Sequence, residues 1–211
     1  SNSSYYMDPY AFWMPNEASQ AAGLEAASRA VRYSKEHGVV NFAAEGNSDD
    51  DHDNPTIDKD SPNDVEGAAV ERNVAGGIDV PAMLNDSVLS VSALKLPTGT
   101  DPATAKLERA GFSNYGTTSV DVAAPGQRIW STMPTWEKDP PFGYLSGTSM
   151  ASPHAAGVAA LVKEIHPDYT ADEVIALVKK QAGYTYDRLA EPTDGKEYRG
   201  AGLVNALDAV L

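Results

Sequence analysis

The segment GTSMASPHAAG, residues 147–157, places one hydroxyl, that of Ser149, where an alanine-rich helix is expected to begin. The first turn of a helix carries unpaired N–H groups and a partial positive charge, which together favour developing negative charge. A serine there can present its oxygen to a carbonyl carbon while its own N–H faces the oxyanion that attack creates. Gly147 and Thr148 let a substrate backbone come close, and Ala151, Ala155, Ala156, Gly157, Ala159 and Ala160 let the helix cross a crowded core. Pro153 falls in the first turn, where its missing N–H costs little. Taken alone, a serine at this place is more often a plain helix cap than a nucleophile.

The elements that would carry this serine follow from periodicity. Leu24, Ala27 and Val31 recur at helical spacing within Asn16–Gly38, and VVNFAA (39–44) is a short apolar run of the kind that forms a buried parallel strand. DSVLSVSAL (86–94) and SVDVAAPG (119–126) read as further strands, and the helix of Ser149 is stopped by Pro167. Thr170 with Glu173 is a capping box that opens another helix running to about Ala182, and GLVNALDAVL (202–211) reads as a short amphipathic helix. Strands alternating with helices imply an α/β fold around a mostly parallel sheet, in one domain or part of one. Between Asn47 and Ala82 the chain is polar and acidic, and is expected to form one long surface loop of the kind that is often functional.

Composition narrows the functions. With 211 residues, 42% of them hydrophobic, the chain can bury a real core. A net charge of −14 argues against nucleic acid or an anionic membrane as partner. The absence of cysteine removes disulfides, thiolate metal sites and cysteine nucleophiles together. No apolar run reaches the roughly 20 residues of a membrane span. SNSSYYMDPY lacks a basic region followed by an apolar one, and the chain starts without methionine, as a processed or trimmed product would.

GTSMASPHAAGVAAL closely resembles the nucleophile motif of the subtilisin-like serine proteases, G-T-S-M-A-x-P-H-V-A-G, with only Ala156 departing from it. Three other segments resemble the same family in the same order along residues 3–210: VVNFAAEGNS its strand ending in A-x-G-N, FSNYG…VDVAAPG its F-S-N-x-G…V-D-V-x-A-P-G region, and GAGLVNALDAV its G-x-G-x-V-[DN]-A. The resemblance implies a serine endopeptidase with a three-layer fold, Ser149 as nucleophile and Asn47 as side-chain donor of the oxyanion hole. It implies a polypeptide substrate and a secreted or cell-surface location. It also implies that Ser4, Tyr5 and Tyr6 line one wall of the pocket for the residue at the scissile bond (P1). Tyr6 stands where the family has glycine, and Ala44, Glu45 and Gly46 form the other wall. A carboxylate at Glu45 turned inward would favour basic P1 residues; one turned to solvent is at least as good a reading.

The family's D-[ST]-G and H-G-T-x-V-A-G motifs, which carry its acid and base, do not occur here. His37, His52, His154 and His166 all lack the required surroundings, and His154, five residues past Ser149, is turned ~140° away from it on a helix. Thr193-Asp194-Gly195 follows no buried strand. Residues 1–211 are therefore expected to be the C-terminal part of one peptidase domain, inactive alone, with its missing N-terminal half as a potential partner. The competing reading is a degenerate homologue that binds peptides or a partner protein without cleaving them. No cofactor is required for the chemistry. The family resemblance makes calcium a reasonable structural ion for Asp49, Asp50, Asp51, Asp53, Asp58 and Asp60, although these lack EF-hand spacing and a solvated acidic loop is the plainer reading.

Overall fold

The computed structural model describes residues 1–137 and 139–211. In chain order it contains β1 (Asn2–Ser3), α1 (Ala18–Glu36), β2 (Phe42–Ala44), β3 (Ile57–Asp58), β4 (Arg72–Asn73), β5 (Leu89–Lys95), β6 (Glu108–Arg109), β7 (Val122–Pro125), β8 (Ile129–Thr132) and β9 (Phe142–Leu145). These are followed by α2 (Thr148–Ile165), α3 (Ala171–Gly183), a 3₁₀ turn at Tyr186–Arg188 and α4 (Ala206–Ala209).

Strands β1, β2, β5 and β7 run parallel: β1 pairs with β2, β2 with β5 (Ala43 opposite Ser90), and β5 with β7 (Ser92 opposite Ala123). Antiparallel β6 joins the end of β5. Alternation along the strands sorts the two faces. Phe42, Leu89, Val91, Ala93, Val122 and Ala124 pack against Ala151, Ala155, Val158 and Val162 of α2 and against Val174 and Val178 of α3. Ala43 meets Val88, Ala82 and Val31 on the α1 side. The result is a sheet between helical layers, the α/β architecture expected from the sequence.

The alanines of α2 permit its close approach: Ala151 and Ala155 have no exposed surface. Ser90 and Ser92, buried on the opposite face of β5, satisfy their hydroxyls on the carbonyls of Ser119 and Tyr198. In α3 the Thr170 hydroxyl accepts from the Glu173 N–H while the Glu173 carboxylate accepts from the Thr170 N–H, the reciprocal cap read from the sequence.

Two expectations need correction. The stretch from Asn47 to Ala82 is not one surface loop. It pairs β3 with β4 and buries His52, Asp58, Val74 and Val80. Its carboxylates explain how a polar segment folds inward: Asp58 pairs with Arg72 at 2.6 Å, Asp49 with Arg109 and Lys196, and Asp53 accepts the N–H groups of Thr117, Thr118 and Ser119. The terminal helix is also shorter than expected. Only Ala206–Ala209 is helical, because Gly202–Val204 runs against β7, with the Ala123 N–H donating to the Gly202 carbonyl and the Val204 N–H to the Ala123 carbonyl.

Candidate active site

Ser149 stands at the second position of α2, at the carboxyl ends of β1 and β2, where open parallel sheets collect their ligands. Two glycines bring the pieces together. Gly126, just past β7, accepts the Gly147 N–H at 2.8 Å, and a Cβ there would stand 2.5 Å from that of Ala93. Gly46, at φ +106°, turns the chain after β2 so tightly that a Cβ would lie 2.2 Å from Asn114 Nδ2.

Thr148 locks Asn47 to the helix. The Thr148 N–H and hydroxyl donate to Asn47 Oδ1 at 2.8 and 3.0 Å, and the Gly46 N–H donates to the Thr148 hydroxyl oxygen at 3.1 Å. With its oxygen held in this way, Asn47 has Nδ2 as its remaining polar group, and that amide makes no hydrogen bond among the described residues. The Ser149 N–H, in the first turn, likewise has no intrahelical partner. The Ser149 hydroxyl lies 3.4 Å from the Ser4 carbonyl, while the Ser4 hydroxyl donates to the Ser149 carbonyl at 2.9 Å. One hydroxyl oxygen and two uncommitted N–H donors therefore share a cleft of about 350 Å³, which Ser4, Tyr5, Tyr6, Ala44, Gly46 and Asn47 help to line.

Glu45 neither lines this cleft nor faces solvent, contrary to both readings from sequence. Strand alternation turns its side chain away from Ala44 and Gly46 into the interior, where it has no exposed surface and lies 2.9 Å from His52 Nδ1. Burial opposes a charge on His52, whereas the neighbouring carboxylates of Glu45, Asp79 and Asp50 favour one. The hydrogen bonds decide the ring's state. Asn114 Oδ1 accepts the N–H groups of Ser48 and Asp50, so its Nδ2 must be what faces His52 Nε2 at 2.8 Å, and Nε2 must be the acceptor. We assign a neutral imidazole with its proton on Nδ1 toward Glu45. His52 is thus a core group and not a ligand at the surface.

Asn114, from the FSNYG segment, is the positioning residue that sequence reasoning passed over. It also donates to the Glu45 carbonyl at 3.1 Å, so one side chain binds three backbone groups of the turn that carries Asn47. The signal was the fixed asparagine of that motif.

No histidine reaches Ser149 among the described residues. His154 is bonded through Nδ1 to the Met150 carbonyl at 2.7 Å, His37 stacks on Tyr33, and His166 stacks on Tyr169. Of the six aspartates named for calcium, Asp49, Asp53 and Asp58 are engaged by the chain's own cations and N–H groups. Among the described residues no three acidic or histidine side chains converge in a way that would hold a metal ion.

Residues 14–204 match the model of the subtilase family. Among curated proteins, the minor extracellular protease Vpr of Bacillus subtilis (strain 168) is 35% identical over 164 residues, 67% of this chain and 19% of Vpr. Subtilisin E of the same organism is 39% identical over 98 residues, 46% of this chain and 22% of that protein. The chain thus spans about a fifth of the length of either relative. Among solved structures, a lanthipeptide protease superposes with a TM-score of 0.66 at 21% identity, covering 99% of this chain and 60% of that one. The epidermin leader peptide processing serine protease of Staphylococcus aureus also gives 0.66, at 23% identity, covering 99% and 49%. At these identities the structural likeness establishes the fold.

Proposed function

The chain belongs to the subtilase family, and from that premise we propose that it is the nucleophile- and oxyanion-bearing C-terminal part of one peptidase domain that hydrolyses peptide bonds. The observation that carries the reading is the pair of uncommitted donors, the Ser149 N–H and Asn47 Nδ2, beside the Ser149 hydroxyl. In the proposed reaction Ser149 Oγ attacks the scissile carbonyl carbon and its proton passes to a histidine supplied from outside these 211 residues. The carbonyl π electrons move onto oxygen, and the two donors hold the resulting oxyanion. Collapse breaks the C–N bond, the imidazolium returns the proton to the leaving amine, and an acyl-Ser149 ester remains. Water activated by the same base then attacks the ester and releases the acid. Alone, the chain has a nucleophile and an oxyanion hole but no base.

Ser4, Tyr5 and Tyr6 on one side, with Ala44 and Gly46 on the other, hold the substrate in this scheme. Secretion is supported by the extracellular designation of Vpr and by the acidic composition. Among the described residues no helix is long and apolar enough to cross a membrane.

The test is peptide hydrolysis by the longer protein that carries this chain, with Ser149→Ala and Asn47→Ala alongside. Loss of turnover in Ser149→Ala, with a partial loss in Asn47→Ala, is expected. Unchanged turnover in Ser149→Ala would overturn the assignment. A longer protein that binds peptides but never cleaves them would establish the binding-module reading instead.

A further inference from the structure

The cleft beside Ser149 is lined by four aspartates, Asp8, Asp50, Asp60 and Asp79, and by no lysine, arginine or histidine. Asp8 and Asp60 are exposed, Asp50 is half-buried and Asp79 is 7% exposed. Acidic residues at a surface need no ligand, because water solvates them. Asp79 is different. Its Oδ1 is buried and has no hydrogen-bond partner, and its Oδ2 lies 3.7 Å from His52 Nε2. That nitrogen accepts a hydrogen bond from Asn114, so it brings no proton to the carboxylate. The nearest buried acid, Glu45, already faces the other ring nitrogen. A carboxylate with an unused oxygen in a poorly hydrated wall is costly unless a cation meets it.

The location names the cation. Ser149 and Asn47 line the same cleft as Asp79, together with Ser4, Tyr5 and Tyr6 after β1 and Ala44 and Gly46 at the end of β2. A side chain entering there belongs to the residue whose carbonyl lies at Ser149. We propose that this chain selects peptides with arginine or lysine at that position and that Asp79 is the specificity-determining residue. Arginine is favoured over lysine, since its planar fork can bond a carboxylate through two N–H groups. Tyr5 and Tyr6 also line the cleft, and aromatic side chains are surfaces along which a long aliphatic stem can lie. The inference rests on the peptidase reading for the identity of the substrate, but the preference of the cleft for a cation is a separate property.

The experiment separates the two. Binding of p-aminobenzamidine and of its neutral counterpart p-aminobenzamide is measured on the longer protein that carries this chain, wild type and Asp79→Asn. Cleavage of a peptide series with Arg, Lys, Leu or Glu at the scissile position is then compared. The amidine should bind wild type at least about 10-fold more tightly than the amide, the worth of one charge-assisted contact. In Asp79→Asn that gap should collapse, and the Arg-to-Leu ratio of kcat/KM should fall by about 10- to 100-fold. Equal binding of amidine and amide by wild type would overturn the proposal without relying on any variant. A gap that persists in Asp79→Asn would overturn the role of Asp79. If the amidine preference holds and no peptide is cleaved, the peptidase reading fails and the cation site stands. If peptides are cleaved with Leu preferred over Arg, the reverse is true.

Discussion

Asp79→Asn should stabilise the protein at neutral and alkaline pH, although it removes a charge from the middle of the site. Burial holds the Asp79 carboxyl at about 7 in the folded chain against an ordinary 3.8, with Glu45 and Asp50 adding to the rise. Between those two values the folded state keeps a proton that the unfolded chain has released. Stability therefore falls as pH rises from the lower value through the upper one. Raising the carboxyl from 3.8 to about 7 corresponds to about 4 kcal/mol. Because Asp79 keeps 7% of its surface exposed, we expect about 2–3 kcal/mol of that to be realised. Asparagine does not titrate, so the stability difference between variant and wild type should grow by that amount from about pH 4 to about pH 8 and then level off. Urea unfolding at four or five pH values, followed by circular dichroism, measures it. A difference independent of pH, or a variant less stable than wild type at about pH 8, would mean that Asp79 is well paired in the free fold. The reasoning that makes it an open cation site would then be wrong.

Other perturbations test the scaffold and the oxyanion hole. Asn47→Ala should lower kcat of the longer protein by about 10²–10³ with little change in KM, a magnitude established on subtilisin itself and carried over here; steady-state kinetics decide it. Gly126→Ala forces a methyl to 2.5 Å from Ala93 Cβ and 2.8 Å from the Gly147 carbonyl. It should cost about 1–3 kcal/mol in urea unfolding and slow turnover by displacing the loop that leads into Ser149. Thr170→Ala removes one half of the α3 cap and should cost about 1 kcal/mol while leaving turnover unchanged, since α3 lies behind α2 and away from the cleft.

Much of the fold and the near side of the site was legible in the sequence because it rests on local signals. The Thr170–Glu173 cap, the alanine series of α2 and the apolar run ending at Ala44 each specify an element within a dozen residues. Ser149 and Asn47 stood out through motifs of fixed spacing. The far side of the cleft was not legible. Asp79 is 70 residues from Ser149 and lies in a stretch with no periodicity; its place is fixed by long-range packing, of Val74 with Phe12, Val80 with Trp13 and Ala82 with Ala43 of β2. Glu45 was misplaced for a related reason, since which way one residue at a strand end turns depends on a distant partner, here His52. His52 itself looked like a solvated loop residue until the acidic segment folded over it. The charge pattern of that segment reported solvation, whereas three of its aspartates are anchors to Arg72, Arg109, Lys196 and the Thr117–Ser119 turn.

The measurement that tests the central claim most directly is intact-mass spectrometry after treatment with a fluorophosphonate, on the 211-residue chain and on the longer protein that carries it, each with Ser149→Ala as control. A single adduct on the longer protein, lost in Ser149→Ala, and none on the chain alone is the predicted result. An adduct on the chain alone that disappears in Ser149→Ala would show that a group within these residues activates the serine. Absence of any Ser149 adduct on the longer protein would contradict the assignment of Ser149 as the nucleophile.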